Sequence, residues 1–526
     1  MKSKIIRILQ NSFYQLLIIY TLLVFFISIN SYFKYSIHFE LFAILLGILG
    51  FFIIQKTDKL PEIEVLKNKK VHYLILTAIL LIILNFHVIP YVSNSIPLGY
   101  DTGMYKYAIE HGLQNLDNWV LQGVEPGFLY LMKPLSMIFS SQFILTWLLV
   151  ILSIILGLGI YFASSSFFNK TTGLFAILLY AFSLIQYKTF ELMYYKNIMG
   201  LILILFALYF FNKKNNYLFI ILAGLAGTIH RPTFYIFGLS YFFYAFISPY
   251  KNKYNFKQLG KNILSGILIL IIAILPFLGK FRVALTSVMP WVLQGFTSPG
   301  QSPGTFINIF TFQFLTLAYL PFAILGLLYL IKKRNFNILF FWAIINSIIV
   351  YFQFFFFNRF IIHLDIALIL LASLGFSILL EKRKKLATIL LIFLFASMFF
   401  TSISYIKTSS PLISETELNI IKIANSFEKN AIIMTTNSIY SPWLQGYVNR
   451  KIIAPGLFDY NKHNESQWQE FWTTKDLSKI KQFMNYYEKP LYIFIGEQQQ
   501  DNIKQFPTCF DLIIENQNNK LYKYTC

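Results

Sequence analysis

Residues 71–90 read VHYLILTAILLIILNFHVIP, a run of twenty residues without Asp, Glu, Lys or Arg. An α-helix of about 20 apolar residues spans the hydrocarbon core of a bilayer, so this stretch predicts a transmembrane helix. Comparable runs recur along most of the 526-residue chain, in which hydrophobic residues make up 56% and charged residues only 13%. Soluble domains carry roughly 25% charged residues. The composition therefore excludes an ordinary soluble enzyme, a disordered chain and a coiled coil, and it indicates a polytopic membrane protein.

We predict about 13 transmembrane segments before residue 410. Their approximate limits are 14–30, 38–55, 71–90, 141–163, 172–186, 197–212, 217–229, 232–248, 262–279, 306–331, 335–354, 360–380 and 386–404. The chain is thus expected to be an α-helical, multi-pass protein of the cell membrane.

The positive charges predict the orientation of these segments. With the N-terminus in the cytoplasm, the inner segments carry 22 Lys and Arg residues, against 9 in the outer loops before residue 405. Cytoplasmic loops of membrane proteins carry such an excess. We therefore predict a cytoplasmic N-terminus and an external C-terminus. The net charge of +21 is spread between apolar runs rather than placed on one basic face, so no nucleic-acid partner is expected.

The composition changes at residue 410, where Asn, Gln, Glu, Asp and Lys become common. We predict a transmembrane domain over 1–409, with a long first external loop at 91–140, and a small external soluble α/β domain over 410–526. Short apolar runs predict strands, and amphipathic runs predict helices. The predicted strands are Ala431–Thr435, Lys451–Ala454, Leu491–Ile495, Phe510–Glu515 and Leu521–Tyr524, and the predicted helices are Glu415–Lys429, Glu465–Trp472 and Asp476–Tyr487.

Both cysteines of the chain, Cys509 and Cys526, lie in this C-terminal domain. If Gln517 and Asn518 form a two-residue turn between the last two strands, Cys509 pairs with Cys526 at a non-hydrogen-bonded position. The Cα atoms at such a position are close enough for a disulfide. An oxidising outer compartment permits the bond, which we predict; the alternative is two unpaired thiols.

The first long loop contains residues 97–108, PLGYDTGMYKYA, and continues to residues 124–131, VEPGFLYL. Residues 102–114 are predicted to form a helix on the membrane surface, with Asp101 at its N-terminus. An Asp at such a position is often no more than an N-cap. Here it lies at the mouth of a membrane bundle, beside aromatic residues, in a chain with only 23 acidic residues. We therefore predict a functional role for Asp101.

This loop resembles the first external loop of the GT-C superfamily, in which an acidic residue after an early span is followed by a Tyr and an interfacial helix. GT-C proteins are membrane glycosyltransferases that use polyprenyl-phosphate-linked sugars; they include protein mannosyltransferases, aminoarabinose transferases and oligosaccharyltransferases. Their many spans and external C-terminal domain resemble the plan predicted here. The resemblance implies that Asp101 is the catalytic base, positions the acceptor or helps to hold a divalent metal. Many members carry two adjacent acids in this loop, whereas Thr102 follows Asp101 here.

Two further acids are candidates. Glu125 precedes a Pro-Gly pair and is expected to open the next helix; we predict it as a second catalytic carboxylate. Glu191, in the second outer loop, resembles the acid with which oligosaccharyltransferases hold a metal between loops. The resemblance implies that Asp101 and Glu191, together with substrate phosphate and water, hold Mg²⁺ or Mn²⁺. The alternative is that neighbouring lysines merely neutralise Glu191.

Arginine is rare in this chain, yet Arg231, Arg282 and Arg359 all lie near predicted outer membrane ends. The planar guanidinium group suits the oxygens of a phosphate. We predict that Arg231, Arg359 and the adjacent His230 bind the phosphate of the substrate. The predicted helix after Arg359 carries His363 and Asp365, for which pairing within the bundle is the simplest interpretation.

Residues 440–447 (YSPWLQGY), followed by Asn449 and Arg450, combine aromatic, amide and guanidinium groups. Such residues are typical of a sugar-binding surface and equally of a packed α/β core, and the sequence leaves both interpretations open. The chain has no phosphate-binding Gly-rich loop, no Gly-x-Ser-x-Gly motif and no His-Glu-x-x-His motif.

We predict a hexosyl or pentosyl transferase that moves a sugar from a polyprenyl-phosphate lipid to a glycan, lipid or protein acceptor on the outer face of the membrane. The donor class comes from the GT-C resemblance. One alternative is an O-antigen or exopolysaccharide polymerase or ligase. Another, from a different functional class, is a flippase or transporter of lipid-linked sugars.

Overall fold

The structure, a computed structural model, describes residues 2–30, 36–53, 67–92, 94–111, 123–251, 255–279, 281–282, 307–355, 357–435, 437–455, 462–499 and 501–526. The chain folds into two compact units. The helical unit comprises Met1–Val92, Leu149–Phe190 and Tyr194–Ser409. The mixed unit comprises Ser93–Leu148, Glu191–Met193 and Ser410–Cys526, so the first long loop belongs to the same unit as the C-terminal domain.

Helices form most of the chain, because a backbone in lipid must satisfy its own hydrogen bonds. In chain order they are α1 (Lys2–Asn30), α2 (Ser36–Ile53), α3 (Lys69–Val92), α4 (Thr102–His111), α5 (Pro126–Ile138), α6 (Ser141–Phe167, with a π-helical turn at Ile144–Leu148), α7 (Lys170–Ala181), α8 (Leu184–Glu191), α9 (Tyr195–Asn212), α10 (Asn216–Ile229), α11 (Arg231–Ile247), α12 (Phe256–Ile274), α13 (Ile309–Thr316), α14 (Leu320–Lys332), α15 (Ile338–Tyr351), α16 (Phe357–Lys382), α17 (Lys384–Ile406), α18 (Glu415–Ile423), α19 (Ser441–Tyr447), α20 (Glu465–Thr473) and α21 (Leu477–Met484).

The protein is a helical, polytopic membrane protein. Each of the thirteen predicted segments contains a helix or a bent pair of helices. Among the described residues, seven helices are long and apolar enough to cross a membrane, or nine spans if each bent pair counts as one. Three further apolar helices, His38–Ile53, Asn216–Ile229 and Ile338–Tyr351, are shorter. The number of thirteen spans therefore stays a prediction.

The two bent pairs are joined to the bundle by side chains that bond the carbonyl groups exposed at each break. Helices α7 and α8 meet at 54°, and Ser402 donates to the carbonyl of Phe182 at 3.0 Å. Helices α13 and α14 meet at 82°, and the Tyr20 hydroxyl donates to the carbonyl of Leu317 at 2.5 Å. Broken helices are tolerated at membrane depth when neighbouring groups satisfy the freed backbone in this way.

A five-stranded sheet forms the C-terminal domain, residues 410–526. Its strands are β1 (Ile432–Thr435), β2 (Lys451–Ile453), β3 (Leu491–Ile495), β4 (Phe510–Asn516) and β5 (Asn519–Tyr524). They lie in the order β2-β1-β3-β5-β4. Strand β1 pairs in parallel with β2 and β3, whereas β5 is antiparallel to both β3 and β4. Alternate residues of β1 point to opposite faces: Ile432 and Met434 pack against α20 and α21, and Ile433 packs against α18 and α19. The predicted small α/β domain is confirmed.

The final hairpin follows the predicted register only near its turn. Asn516 pairs with Asn519, as a turn at Gln517-Asn518 requires, but a bulge between Leu512 and Ile514 then shifts the register by one residue. Cys509 consequently accepts a backbone hydrogen bond from Thr525 at 2.9 Å rather than facing Cys526 directly. The structure nevertheless contains a disulfide between Cys509 and Cys526, whose Cα atoms are 4.9 Å apart.

Removing this disulfide should destabilise the C-terminal domain by about 3 kcal/mol, since closing a loop of roughly 15 residues restricts the unfolded chain by that amount. Chemical unfolding of the full chain in detergent, with and without dithiothreitol, measures the loss. A Cys509→Ser/Cys526→Ser variant serves as the control, because its midpoint should not respond to the reductant. Equal responses of both proteins would contradict a stabilising disulfide.

Candidate functional site

The loop carrying Asp101 is fixed on both sides of the carboxylate. Asp101 is half-buried, and its backbone carbonyl accepts the N–H of Tyr105 at 2.9 Å, which begins α4. The hydroxyl of Thr102 donates back to the carbonyl of Leu98. Gly99 has a φ of +77°, and a Cβ there would lie 2.7 Å from the carbonyl carbon of Leu192. The chain therefore needs glycine at position 99 both for its left-handed backbone and for this close approach.

That approach places Asp101 and Glu191 on neighbouring segments of the mixed unit. Glu191 is the half-buried last residue of α8, and the next residue, Leu192, packs against Gly99. The two carboxylates predicted to share a metal are thus carried by backbone segments in contact. Within the described part of the chain, no group of three or more His, Cys, Asp or Glu side chains is arranged to hold a metal ion. A metal here would therefore take further ligands from substrate or water.

Helix α4 packs tightly on α19 of the sheet domain. A Cβ on Gly446 would come within 2.5 Å of the Cα of Gly103, so each glycine lets the other helix approach. The stretch considered above as a sugar-binding surface is this buried helix: Tyr440 and Trp443 are both fully buried. Arg450 donates to backbone carbonyls of residues 425, 427 and 428, so its guanidinium has a structural role.

Tyr100 joins the Asp101 loop to the sheet domain. Its side chain lies close to Ser438, in the loop that follows β1. Burial, and next the charge of Asp101, raise the pKa of Tyr100 to about 12, so the phenol is neutral at physiological pH. A neutral hydroxyl thus lies next to the candidate base.

Glu125 opens the next helix, as expected, but it is buried from solvent. It is the N-cap of α5, with Pro126 in the first turn and no side-chain capping bond, and its side chain is 2% exposed. A carboxylate at this position is favoured by the helix dipole. Its catalytic role stays a prediction.

In the helical unit, a chain of hydrogen bonds links the start of α11 to α16, the two helices that carry the arginines predicted to bind phosphate. The His230 ring lies 2.7 Å from the hydroxyl of Thr233, and that hydroxyl lies 3.1 Å from the ring of His363. Arg231 is the first residue of α11, and Arg359 lies in the first turn of α16, one turn before His363. The chain therefore brings the N-termini of α11 and α16, each with its arginine, to one region of the bundle.

This region has the features of an anion site. The first turn of a helix presents unpaired N–H groups and a partial positive charge, and Arg231 and Arg359 each lie in such a turn. Arg231 is 8% exposed, with its guanidinium carbon 6.0 Å from the ring centre of Phe277, and Arg359 is half-buried. The loop before α16 contains two non-glycine residues with left-handed backbone, Gln353 and Phe355. Such strained positions cluster at functional sites.

His363 and Asp365 each bond to other groups of the bundle, as expected, but not to each other. His363 instead contacts Thr233 and the amide oxygen of Asn197. Residues two apart on a helix do not face each other, which explains why this pair does not form.

Asp365 is fully buried and connects the two helix breaks. Its Oδ2 accepts from Ser183 and from Gln186, both at 2.8 Å, and its Oδ1 accepts from the hydroxyl of Tyr319. Ser183 lies at the α7–α8 break and Tyr319 at the α13–α14 break. This role was not predicted from the sequence. An Asp within a long apolar run is nevertheless energetically costly to bury and therefore indicates a specific role.

Asp365→Ala should lower the free energy of unfolding of the detergent-solubilised protein by at least about 2 kcal/mol, because three buried donors lose their acceptor. Thermal unfolding measures the effect. Ser373→Ala is the control on the same helix. That serine is also fully buried, but it donates to the carbonyl of Leu370 one turn earlier and lies 3.4 Å from the hydroxyl of Ser164, so its loss should have little effect. Equal stability of the Asp365→Ala variant and the wild type would contradict this role.

Comparisons with known proteins identify the family and the fold of the chain. The sequence pattern of the EpsG family matches residues 75–416, more than half of the chain. No curated protein sequence matches it. Among solved structures, the archaeal oligosaccharyltransferase AglB from Archaeoglobus fulgidus, in complex with an inhibitory peptide and a dolichol-phosphate, superposes with a TM-score of 0.60 at 13% identity, over 81% of this chain and 69% of that one. ArnT from Cupriavidus metallidurans, in the apo state, superposes with a TM-score of 0.57 at 12% identity, over 86% and 98%. The fold is that of the GT-C membrane glycosyltransferases.

Proposed function

Since the chain belongs to the EpsG family and has the GT-C fold, we propose that it transfers a sugar from a polyprenyl-phosphate-linked donor to an acceptor hydroxyl. The observation that carries the proposal is the pair of arginines in the first turns of α11 and α16, two helices that the hydrogen bonds of His230, Thr233 and His363 link to each other. A buried cationic site within a membrane bundle suits the phosphate of a lipid-linked donor. The dolichol-phosphate in the AglB complex is a ligand of that chemical class.

In the proposed reaction, Asp101 accepts the proton of the acceptor hydroxyl as its oxygen attacks the anomeric carbon. The bond between that carbon and the phosphate oxygen breaks, and polyprenyl phosphate leaves. Arg231 and Arg359 stabilise the charge that develops on the leaving phosphate, and His230 holds the first turn of α11 through Thr233.

A divalent metal fits this scheme as an addition. The carboxylates of Asp101 and Glu191 are the protein ligands that we propose for Mg²⁺ or Mn²⁺, with the donor phosphate and water completing the shell. The ion would supply further positive charge for the leaving phosphate.

The proposed orientation places the C-terminal domain on the outer face of the membrane. The disulfide between Cys509 and Cys526 supports this, because such bonds persist in oxidising compartments. The transferase acts there on a glycan, lipid or protein acceptor.

Sugar transfer in proteoliposomes tests the proposal. Radiolabelled polyprenyl-phosphate sugars are supplied as donors and a cell-envelope extract as acceptor, with and without EDTA. The same sugars linked to nucleoside diphosphates serve as control donors. We expect label to reach the acceptor from the lipid-linked donor alone. Movement of unchanged donor across the bilayer, without label in any acceptor, would contradict the transferase and indicate a flippase.

A further inference from the structure

The sheet domain contains a cavity of about 930 Å³ at the carboxyl ends of its parallel strands. Asn437 and Ser438 follow β1, Pro455 follows β2, and Gln498 follows β3; all four line the cavity. In open α/β sheets, ligands bind at the carboxyl ends of parallel strands where the strand order reverses. The order β2-β1-β3 places that reversal between β1 and β3. The size is also in the usual range for ligand pockets, about 300–1,000 Å³.

The wall opposite these loops is formed largely by α20. It presents the rings of Trp468 and Trp472 together with the exposed side chain of Gln469. Asn502 closes one side and donates to the carbonyl of Trp472, which fixes the backbone at the end of the helix. The cavity therefore combines aromatic and amide groups from several elements.

Charge is absent from the cavity wall as the described residues form it: no Asp, Glu, Lys or Arg lines it. The titratable side chain there is His463, and burial lowers its pKa, so it is neutral at pH 7. A phosphate, nucleotide or acidic sugar would find no cation in this wall, and an alkyl chain would leave the amides without partners. A neutral saccharide matches both features, because its hydroxyls bond to amides and its apolar ring face packs on indole.

Several polar groups of the wall remain available to a ligand in the described structure. Asn437 and Asn464 each use the side-chain oxygen to accept a backbone N–H, at 2.9 and 3.0 Å, which leaves the amide NH₂ groups as donors. Gln498 donates through Nε2 to the carbonyl of Leu412, which leaves its oxygen as an acceptor.

The cavity adjoins the loop of the candidate base within the same compact unit. Ser438 lines the cavity and lies close to Tyr100, the residue before Asp101. We propose that this cavity binds a neutral glycan and presents it to Asp101 as the acceptor of sugar transfer. The acceptor role rests on the proposed function; the binding of neutral glycan does not.

Binding to the full-length protein in nanodiscs, measured by saturation-transfer NMR without any donor, tests the cavity. The probes are maltohexaose, cellohexaose and xylohexaose as neutral glycans and hexagalacturonate as the acidic one. We expect at least one neutral probe to bind and the acidic probe to bind at least tenfold more weakly. Binding of none of the neutral probes, or preference for hexagalacturonate, would overturn the proposal.

Three variants locate the binding site. Trp472→Ala should weaken binding at least tenfold, and Gln469→Ala, an exposed substitution that leaves the core intact, about threefold to tenfold. Gln505→Ala is the matched control, since Gln505 is an exposed glutamine outside the cavity, and it should bind like the wild type. Unchanged binding by both cavity variants would overturn the assignment.

The acceptor role is tested separately. Gln469→Ala should raise the KM for a bound neutral acceptor while the KM for the donor stays unchanged. Asp101→Asn should retain oligosaccharide binding while losing transfer. A protein that binds neutral glycan in the cavity but transfers no sugar would refute the proposed function and leave the binding site standing.

Discussion

Replacing Asp101 by Asn should reduce the rate of sugar transfer at least a hundredfold. Asn preserves the shape of the side chain but cannot accept the proton of the acceptor hydroxyl, and a positioned general base contributes typically 10²–10⁴-fold. The loop should keep its conformation, because the backbone bond from Tyr105 to Asp101 and the contact between Gly99 and Leu192 do not involve the substituted group. Initial rates in proteoliposomes measure the loss.

Glu110→Gln is the matched control for this experiment. Glu110 is an exposed acid on the same helix, α4, and forms a salt bridge with Lys106 at 2.6 Å. Exposed pairs contribute little to stability, so this variant should transfer sugar within about twofold of the wild type. Equal rates for Asp101→Asn and Glu110→Gln would remove Asp101 as the base while leaving the enzyme class intact.

Replacing either Arg231 or Arg359 by Ala should lower the rate of sugar transfer about a hundredfold, which is the usual loss when one group that stabilises a developing oxyanion is removed. Lys in place of either arginine keeps the charge but loses the bidentate fork, so about a tenfold loss is expected. The loss should fall mainly on kcat, because charge on the phosphate oxygens develops as the leaving group departs. Steady-state kinetics with a single polyprenyl-phosphate sugar separates kcat from KM.

Product inhibition gives a second measurement for the same arginines. Polyprenyl phosphate should inhibit the Arg231→Ala and Arg359→Ala variants more weakly than the wild type. Arg334→Lys is the control, since Arg334 is exposed at the end of α14 and has no proposed role in phosphate binding. Unchanged inhibition in both alanine variants would contradict a phosphate site at the N-termini of α11 and α16.

Much of the fold could be predicted from local sequence pattern. The strand Leu491–Ile495 is observed with the predicted bounds, because a short apolar run between polar turns permits little else. Asp476 caps α21 as expected, accepting the N–H of Ser478 at 2.8 Å. The predicted helix from Glu415 to Lys429 ends earlier, at Ile423, because the carbonyls of Asn425 and Phe427 bond to Arg450 instead of continuing the helix.

Features that depend on long-range contacts could not be predicted. The packing of Gly103 on Gly446 joins segments more than 300 residues apart, so no local pattern places the first loop with the sheet domain. The bulge after Leu512 and the bend between α7 and α8 likewise have no local signal that distinguishes them from regular structure. Asp365 is explained only once both breaks are known.

The candidate site divides in the same way. Asp101, Arg231 and Arg359 could be recognised from the sequence as candidate functional residues, because acids and arginines are rare near membrane ends. The hydrogen-bond chain between the two helices that carry these arginines runs through Thr233 and His363, whose roles depend on helix packing. The glycan cavity could not be predicted, because its wall is assembled from separate segments between Asn437 and Ile503 whose packing no local pattern specifies.

The most direct test of the central claim is a transfer reaction with a donor labelled with one isotope in the sugar and another in the phosphate. The proposal predicts that the sugar label moves to the acceptor, that the phosphate label stays on the lipid, and that polyprenyl phosphate forms in equal amount to new glycosidic bonds. Transfer of both labels together to the acceptor would contradict displacement at the anomeric carbon. Retention of both labels on a lipid that has only changed leaflet would contradict glycosyl transfer itself.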